Sequence, residues 1–450
     1  MRKYSKICAA AMAISMLATA APASYVFAAE GDSEEVVMNA TITMNGTSAV
    51  ASGENVTVDG GKITISASGA YEFKGTLENG QICVNVPDET ADAGTVKLYF
   101  NGISITGQSE APVYIANAEN TSINLVADTE NFLYDGETYT ETQGTIYAKD
   151  DLTIKGDGKL RIEATYQYGI LCNNDLKING GNIKVKTEAD DGIRAKSSVT
   201  IKDGKVDVNA EGDGIKSTKG DVSISGGKVE VKAGNDAIQA ETEIVISEGK
   251  VEAGGDRGLR CDEGTISISG GRVLATATDN QVENLTATQP VLLTSYAEEY
   301  SKGLSFELLN VADSASVFSL DTTKKFSYAL FSSNEMQVGS KYKVDISDTE
   351  LNTKYTMKDV DSIQLTDMIT TYASPITLVA SVEDPEVNYD INDDGKTSIA
   401  DAVLLARYVG EESGLNITSV GISRTDCNRD GVATMNDVSK LLRVIARLEN

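Results

Sequence analysis

Ile193-Arg-Ala-Lys-Ser-Ser-Val-Thr-Ile201, Ile215-Lys-Ser-Thr-Lys-Gly-Asp-Val-Ser-Ile224 and Ile238-Gln-Ala-Glu-Thr-Glu-Ile-Val-Ile246 are three versions of one unit. The same unit opens at Ile146 and Ile170 before them and at Leu259 after them, with spacings of 24, 23, 22, 23 and 21 residues. A second apolar column contains Ile154, Ile178, Ile201, Ile224, Ile246 and Ile268, and a Gly follows most members, at 181, 204, 227, 249 and 271. An alternating apolar pair comes next, as in Val206-x-Val208. Each unit therefore holds three short strands of period two, each burying one face, with Gly, Asn or Asp turns between them. Three strands in about 22 residues fit one coil of a right-handed parallel β-helix, with coils ~4.8 Å apart. A leucine-rich repeat would show Leu and Asn at fixed offsets, and a propeller blade needs roughly 40 residues.

The third place of the first column holds Ala148, Cys172, Ala195, Ser217, Ala240 and Cys261, a row of small inward side chains. Cysteine serves there as a small apolar residue. Cys172 and Cys261 stand four coils apart, roughly 19 Å, which no disulfide spans. The four cysteines beyond the leader, Cys83, Cys172, Cys261 and Cys427, are expected as free thiols. Upstream, Val58–Ile65, Val96–Ile105 and Val113–Ala118 look like irregular opening coils. Solenoid ends need caps, and residues 316–345 abandon the repeat for what reads as an antiparallel C-terminal cap.

Residues 390–401 and 426–437 carry a different signal. Each is a twelve-residue loop with Gly at position 6 and oxygen ligands at positions 1, 3, 5, 9 and 12. The first offers Asp390, Asn392, Asp394, Ser398 and Asp401, with the Lys396 carbonyl at position 7; the second offers Asp426, Asn428, Asp430, Thr434 and Asp437, with the Val432 carbonyl. Ca²⁺ takes about 6–8 such oxygens. An amphipathic helix follows each loop, marked by Ile399, Ala402, Leu405, Ala406 and Val409, then by Met435, Val438, Leu441, Leu442, Ile445 and Leu448. No comparable helix precedes either loop. The 36-residue offset and the Asp at position 12 make residues 386–450 resemble a type I dockerin. That resemblance implies Ca²⁺ in both loops and a cohesin module of a cellulosome scaffold as partner. The implied cohesin contacts are Ile399, Ala400, Ala406, Arg407 and Glu411 in one segment, and Met435, Asn436, Leu442, Arg443 and Arg447 in the other. The Ser-Thr pair many dockerins carry at positions 10 and 11 is absent.

A second resemblance covers residues 38–345. Gly75-Thr-Leu-Glu-Asn-Gly-Gln-Ile, Leu98-Tyr-Phe-Asn-Gly-Ile-Ser-Ile, Ala111-Pro-Val-Tyr-Ile, Asp190-Asp-Gly-Ile-Arg and Gly212-Asp-Gly-Ile-Lys are similar to a family of secreted, calcium-binding, β-helical proteins. That family's members recognise acidic plant cell-wall polysaccharide. Residues 346–385 read as the remainder of the cap and a linker.

Arg2, Lys3 and Lys6, an apolar run from Ile7 to Leu17 and Val26-Phe27-Ala28 read as a signal peptide over 1–28. The run is too short to span a bilayer, so a secreted, extracellular protein without membrane insertion is expected. With 67 acidic against 39 basic residues the net charge is −28. That disfavours nucleic acid and requires some device for meeting an anionic polymer.

Acidic residues recur just before the first column: Asp190, Asp191, Asp213, Asp236 and Asp256, with Glu188 and Glu211 nearby. Stacked carboxylates repel unless a cation lies between them, and an oxygen-only cluster suits Ca²⁺. Plain Asp-Gly turn chemistry is the alternative. Arg194, Lys216, Gln239 and Arg260 point outward beside the column and can hold a uronate carboxylate. Tyr166 and Tyr168 could stack on a sugar in a chain without Trp, and Tyr168 takes the Asp place in its coil. Two other functions compete with binding. A calcium-dependent pectate or polysaccharide lyase on the same fold would use Arg194 or Arg260 as base. A purely structural adhesin would leave the dockerin unexplained. A β-helical galacturonase is disfavoured, since that family uses His and this chain has none.

Overall fold

The computed structural model describes residues 36–136, 143–279, 282–348, 353–382, 389–428 and 432–446. The expected signal peptide, Asp430 and Arg447 lie outside them. Two compact units divide the chain, one of residues 1–348 with 355–379 and the other of 349–354 with 380–450.

The first unit is a β-solenoid of about nine turns. Alternation dictates its interior: Ile146, Ile170, Ile193, Ile215 and Ile238 are fully buried and pair coil to coil in parallel register. The small column stands as read, Ala148 beside Cys172 and on through Ala195, Ser217 and Ala240 to Cys261. The first strand of each coil builds a ten-stranded sheet running from Val56–Asp59 to Arg257–Cys261. The other two fuse into one sheet, because strands such as Asp175–Thr187 and Ser198–Ala210 bend through both faces. Gly181, Gly204, Gly227, Gly249 and Gly271 make that bend with φ between +74° and +96°, a region open to glycine at little cost.

Both ends are closed, as edge strands require. Ala40–Gly46 pairs in parallel with Gly69–Glu78 and antiparallel with Ala49–Gly53. At the far end, Phe326–Ser333 lies antiparallel to Arg272–Ala277 of the last coil and to Val291–Tyr300. Ser316–Asp321, Leu304–Asn310 and Lys341–Asp348 extend the expected cap over an aromatic core of Tyr296, Phe306, Phe318, Phe326, Phe331 and Tyr342. From the 346–385 segment, Ile369–Thr371 pairs with Val291–Tyr300, and Ile363–Gln364 with Lys341–Asp348.

In the second unit, α1 (Ile399–Val409) and α3 (Met435–Ile445) pack around Tyr389, Ile391, Ala402, Leu405, Cys427, Val438 and Leu441. A short α2 (Ser419–Ser423), unforeseen in the sequence, precedes the second loop. Ile399, Met435 and Leu442 leave the apolar face assigned to them and stand in solvent, 59%, 58% and 41% exposed. The two-helix core is too small to cover them.

Candidate functional site: an acid–base column on the solenoid and two acidic loops

Register fixes the column's membership. Asp236 pairs with Arg257, and the Ile170–Ile193–Ile215–Ile238 alignment places Tyr168, Asp191, Asp213 and Asp236 in one row. Asp190 and Asp256 therefore fall one residue outside it. Asp256 is exposed and accepts from Thr278 Oγ1 at 3.2 Å, and Arg257 ends the column in its place. The glycine after each of the first two aspartates has a packing reason beyond its turn. A Cβ on Gly192 would lie 2.3 Å from Val208 Cγ1, and one on Gly214 2.1 Å from Val231 Cγ1.

Asp191, Asp213 and Asp236 are 3–4% exposed, and their oxygens divide two tasks. One accepts the next coil's backbone N–H: Asp213 N donates to Asp191 Oδ1 at 2.8 Å, and Asp236 N to Asp213 Oδ1 at 2.9 Å. The other faces a cation three residues on in the first two cases. Arg194 Nη1 lies 2.8 Å from Asp191 Oδ2, and Lys216 Nζ 2.5 Å from Asp213 Oδ2. Asp236 has two cations, Arg257 Nε at 2.8 Å and Arg260 Nη1 at 3.0 Å. The cations these carboxylates face are thus supplied by the chain itself. In Asp191 and Asp213 both carboxylate oxygens are thereby engaged, one by a backbone N–H and one by a side-chain cation.

Arg194, Lys216, Gln239 and Arg260 do form one outward row. The Arg194 guanidinium stands over the Tyr168 ring, 5.2 Å from its centroid, a cation–π contact. Both face a surface cleft of about 230 Å³ shared with Asn173, Lys196 and Lys219. Burial works against the Arg194 charge, but the hydrogen bond to Asp191 and nearby negative groups outweigh it and hold the guanidinium above its ordinary value. Arg260 is raised in the same way through Asp236 and Asp262. Gln239 gives Nε2 to Asp262 Oδ2 at 2.6 Å and leaves Oε1 a buried acceptor without a donor. Tyr166 lies apart from this cleft, its backbone N–H directed at Asp135.

The acidic loops of the second unit are shaped by backbone donors. Asp390 accepts from the N–H of Asp394 at 3.0 Å and of Gly395 at 2.8 Å, and Gly395 has φ +85°. Asn392 Oδ1 accepts from Asp394 N and Asp394 Oδ1 from Lys396 N. Asp401, fully buried, accepts from the backbone N–H of Ile391, Asn392 and Ser398 and completes a capping box with Ser398. Asp437 does the same with Thr434 and Asn428. Although burial opposes it, those N–H groups hold the Asp437 carboxyl below its ordinary value. Ionised, inward-drawn oxygen donors fit a hard cation such as Ca²⁺, with the Lys396 and Val432 carbonyls and Asp426 at the remaining places. Sequence reasoning missed Arg424. Its Nη1 donates to the Asp390 carbonyl at 2.6 Å and to Asp393 Oδ1 at 3.0 Å, bracing the first loop from 31 and 34 residues away. Among the expected cohesin contacts, Ile399, Ala400, Arg407, Met435, Asn436 and Arg443 are all exposed; Arg407 forks onto Glu412 at 2.6 and 2.7 Å.

Comparison with known proteins agrees with both units. A family described as carbohydrate-binding domain-containing protein matches residues 59–356, and the dockerin type I domain matches residues 388–446. A carbohydrate-binding domain-containing protein of Acetivibrio thermocellus is 38% identical over 140 residues, 30% of this chain and 48% of the relative, so the match spans about half that relative's length. A solved polysaccharide lyase-like protein from C. thermocellum, studied as a gadolinium derivative, is 32% identical with a TM-score of 0.46, covering 55% of this chain and 99% of its own. The chain belongs to the carbohydrate-binding domain-containing protein family, and it carries a type I dockerin domain after the solenoid.

Proposed function

We propose that this is a non-catalytic, extracellular binding protein for acidic plant cell-wall polysaccharide, tethered by its dockerin to a cohesin-bearing cellulosome scaffold. The observation that carries the reading is the Tyr168–Arg194 cleft, with Lys216 and Arg260 continuing its outward row on a family fold that binds carbohydrate. Cations presented at coil spacing offer charge-assisted bonds to successive carboxylates of a polyuronate. They also answer how a protein of net charge −28 approaches an anionic polymer. Calcium belongs to the dockerin loops in this account, where it supplies folding free energy to a unit with a small core. The exposed Ile399, Met435 and Leu442 favour their assigned role at the cohesin interface.

The lyase alternative asks Arg194 or Arg260 to take a proton. Both guanidiniums are held more firmly protonated than usual by buried aspartates, the reverse of what a general base needs. The reading is tested by measuring polygalacturonate and neutral-glucan binding side by side. Arg194→Ala and Lys216→Ala should each weaken the former severalfold and leave the latter unchanged. Equal affinity of both variants and the parent for polygalacturonate would refute it.

A further inference from the structure

On another face of the solenoid, the row Ser104, Phe132, Arg161, Lys184 runs outward from coil to coil. Phe132 shares its strand, Glu130–Tyr134, with Tyr134, and the two rings lie 6.3 Å apart with planes only 5° from parallel. Neither ring is buried. Directly beside Phe132 is a cleft of about 210 Å³ lined by Glu130, Phe132, Lys159, Arg161, Asn182 and Lys184, among others. Asn182 Oδ1 is buried in that wall with no donor. An acceptor shut away without a partner is costly unless something arrives to satisfy it.

The three cations are more than half exposed, and their partners are the exposed Glu130 for Lys159 at 2.5 Å, the half-buried Asp207 for Lys184 at 3.4 Å and the half-buried Glu163 for Arg161. Exposed pairs of this kind contribute little and exchange readily for another carboxylate. Beyond Asn182 the same register position holds Lys205, Lys228, Lys250 and Arg272 on the next four coils, beside an acidic row of Asp207, Glu230 and Glu252 that continues from Lys184 and pairs with Lys228 and Lys250. The unbroken cationic stretch is therefore the cleft itself, Lys159, Arg161 and Lys184, on a chain that is otherwise strongly acidic.

From the paired rings, the orphaned Asn182 acceptor and the in-register cations, we infer that this cleft is a second glycan subsite, taking a uronate unit of an acidic polysaccharide laid along the solenoid axis. A pyranose C–H face can lie on an aromatic ring, a hydroxyl can donate to Asn182 Oδ1, and the carboxylate can take the Arg161 fork with Lys184 beside it. The inference rests on the polysaccharide-binding reading but not on the Tyr168–Arg194 cleft.

The test uses the full chain and polygalacturonate, with a neutral glucan as reference. Arg161→Gln with Lys184→Gln changes only exposed side chains, so the fold is kept. Phe132→Ala is made separately. The charge variant is expected to lose about tenfold in polygalacturonate affinity, the scale of one hydrogen bond to a charged group, with a shallower salt dependence and unchanged glucan binding. Phe132→Ala should lose a comparable factor. Full affinity in both variants, with Arg194→Ala still impaired, overturns the second subsite and leaves the first standing. Equal loss of glucan and polygalacturonate in Phe132→Ala alone, with the charge variant silent, overturns the uronate assignment. A parent protein that binds neither polymer fails the broader reading as well, an outcome distinct from both.

Discussion

Removing Asp213 attacks the column at its centre and separates the two bonds that hold it. In Asp213→Ala, the Asp236 N–H loses its acceptor at a place where Asp236 is 3% exposed. An unsatisfied buried N–H costs roughly 1–3 kcal/mol. Lys216 also loses its partner, but its side chain keeps 22% exposure and can turn toward water, so the roughly 3–5 kcal/mol of breaking a fully buried pair shrinks to about 1 kcal/mol. The sum is about 3 kcal/mol. Asp213→Asn keeps an oxygen for the Asp236 N–H and gives up only the charge, so about 1 kcal/mol is expected. Lys216→Met strands a carboxylate whose side chain is 6% exposed, at about 2 kcal/mol. Combining Asp213→Asn with Lys216→Met removes both charges together and should be milder than Lys216→Met alone, since a neutral pair replaces an ionic one. Urea unfolding of the solenoid at constant m value measures all four. An Asp213→Ala variant within about 0.5 kcal/mol of the parent, or a double variant equal to the additive sum of the singles, would refute this division of roles.

Three further outcomes follow from other sites. Asp135 is 8% exposed and, among the described residues, bonded only to neutral donors of Thr145, Thr165 and Tyr166, and burial raises its carboxyl above the ordinary 3.8. Its folded pKa exceeds the unfolded one, so it destabilises the fold at neutral pH, with relief as pH falls through the raised value; Asp135→Asn should match or exceed parent stability at pH 7, and this advantage should vanish below about pH 3.8. The four cysteines among the described residues, Cys83, Cys172, Cys261 and Cys427, are free, and burial pushes the Cys172 and Cys427 thiols up to about 12. In protein lacking residues 1–28, and with them Cys8, thiol counting without reductant should find four after denaturation, while those two stay unlabelled in the native protein; a Cys172–Cys261 bridge would contradict the coil register. Asp390→Ala with Asp426→Ala should abolish calcium-dependent cohesin binding and spare polysaccharide binding, because each opens a loop whose oxygens organise it; undiminished cohesin affinity would refute the loop assignment.

The solenoid was legible because burial writes itself into the sequence as columns. Ile146 through Leu259 align in the structure residue for residue as their spacing implies, and even the irregular Cys172 and Cys261 are explained by the small row they share. The loops were legible because a cation demands oxygens at fixed offsets. What was missed is chiefly how charges are balanced. Asp-x-x-Arg at 191–194 and Asp-x-x-Lys at 213–216 are visible pairs, but only the coil geometry turns the second residue back onto the first. Counting two residues back from Leu259 would have given Arg257 rather than Asp256, since that coil is the shortest. Arg424 and the Phe132–Arg161–Lys184 row could not be found by spacing, as each joins segments that share no local pattern.

Binding of the full chain to polygalacturonate in excess EGTA, at low and moderate salt, with ultraviolet absorbance followed for unsaturated uronides, tests the central claim most directly. Protein-borne cations as the recognising groups predict binding that survives EGTA, weakens as salt rises and yields no growth in absorbance. Binding lost on EGTA at constant salt would restore a calcium ion to the Asp191–Asp213–Asp236 column, and growing absorbance would make the protein a lyase; either result contradicts the account.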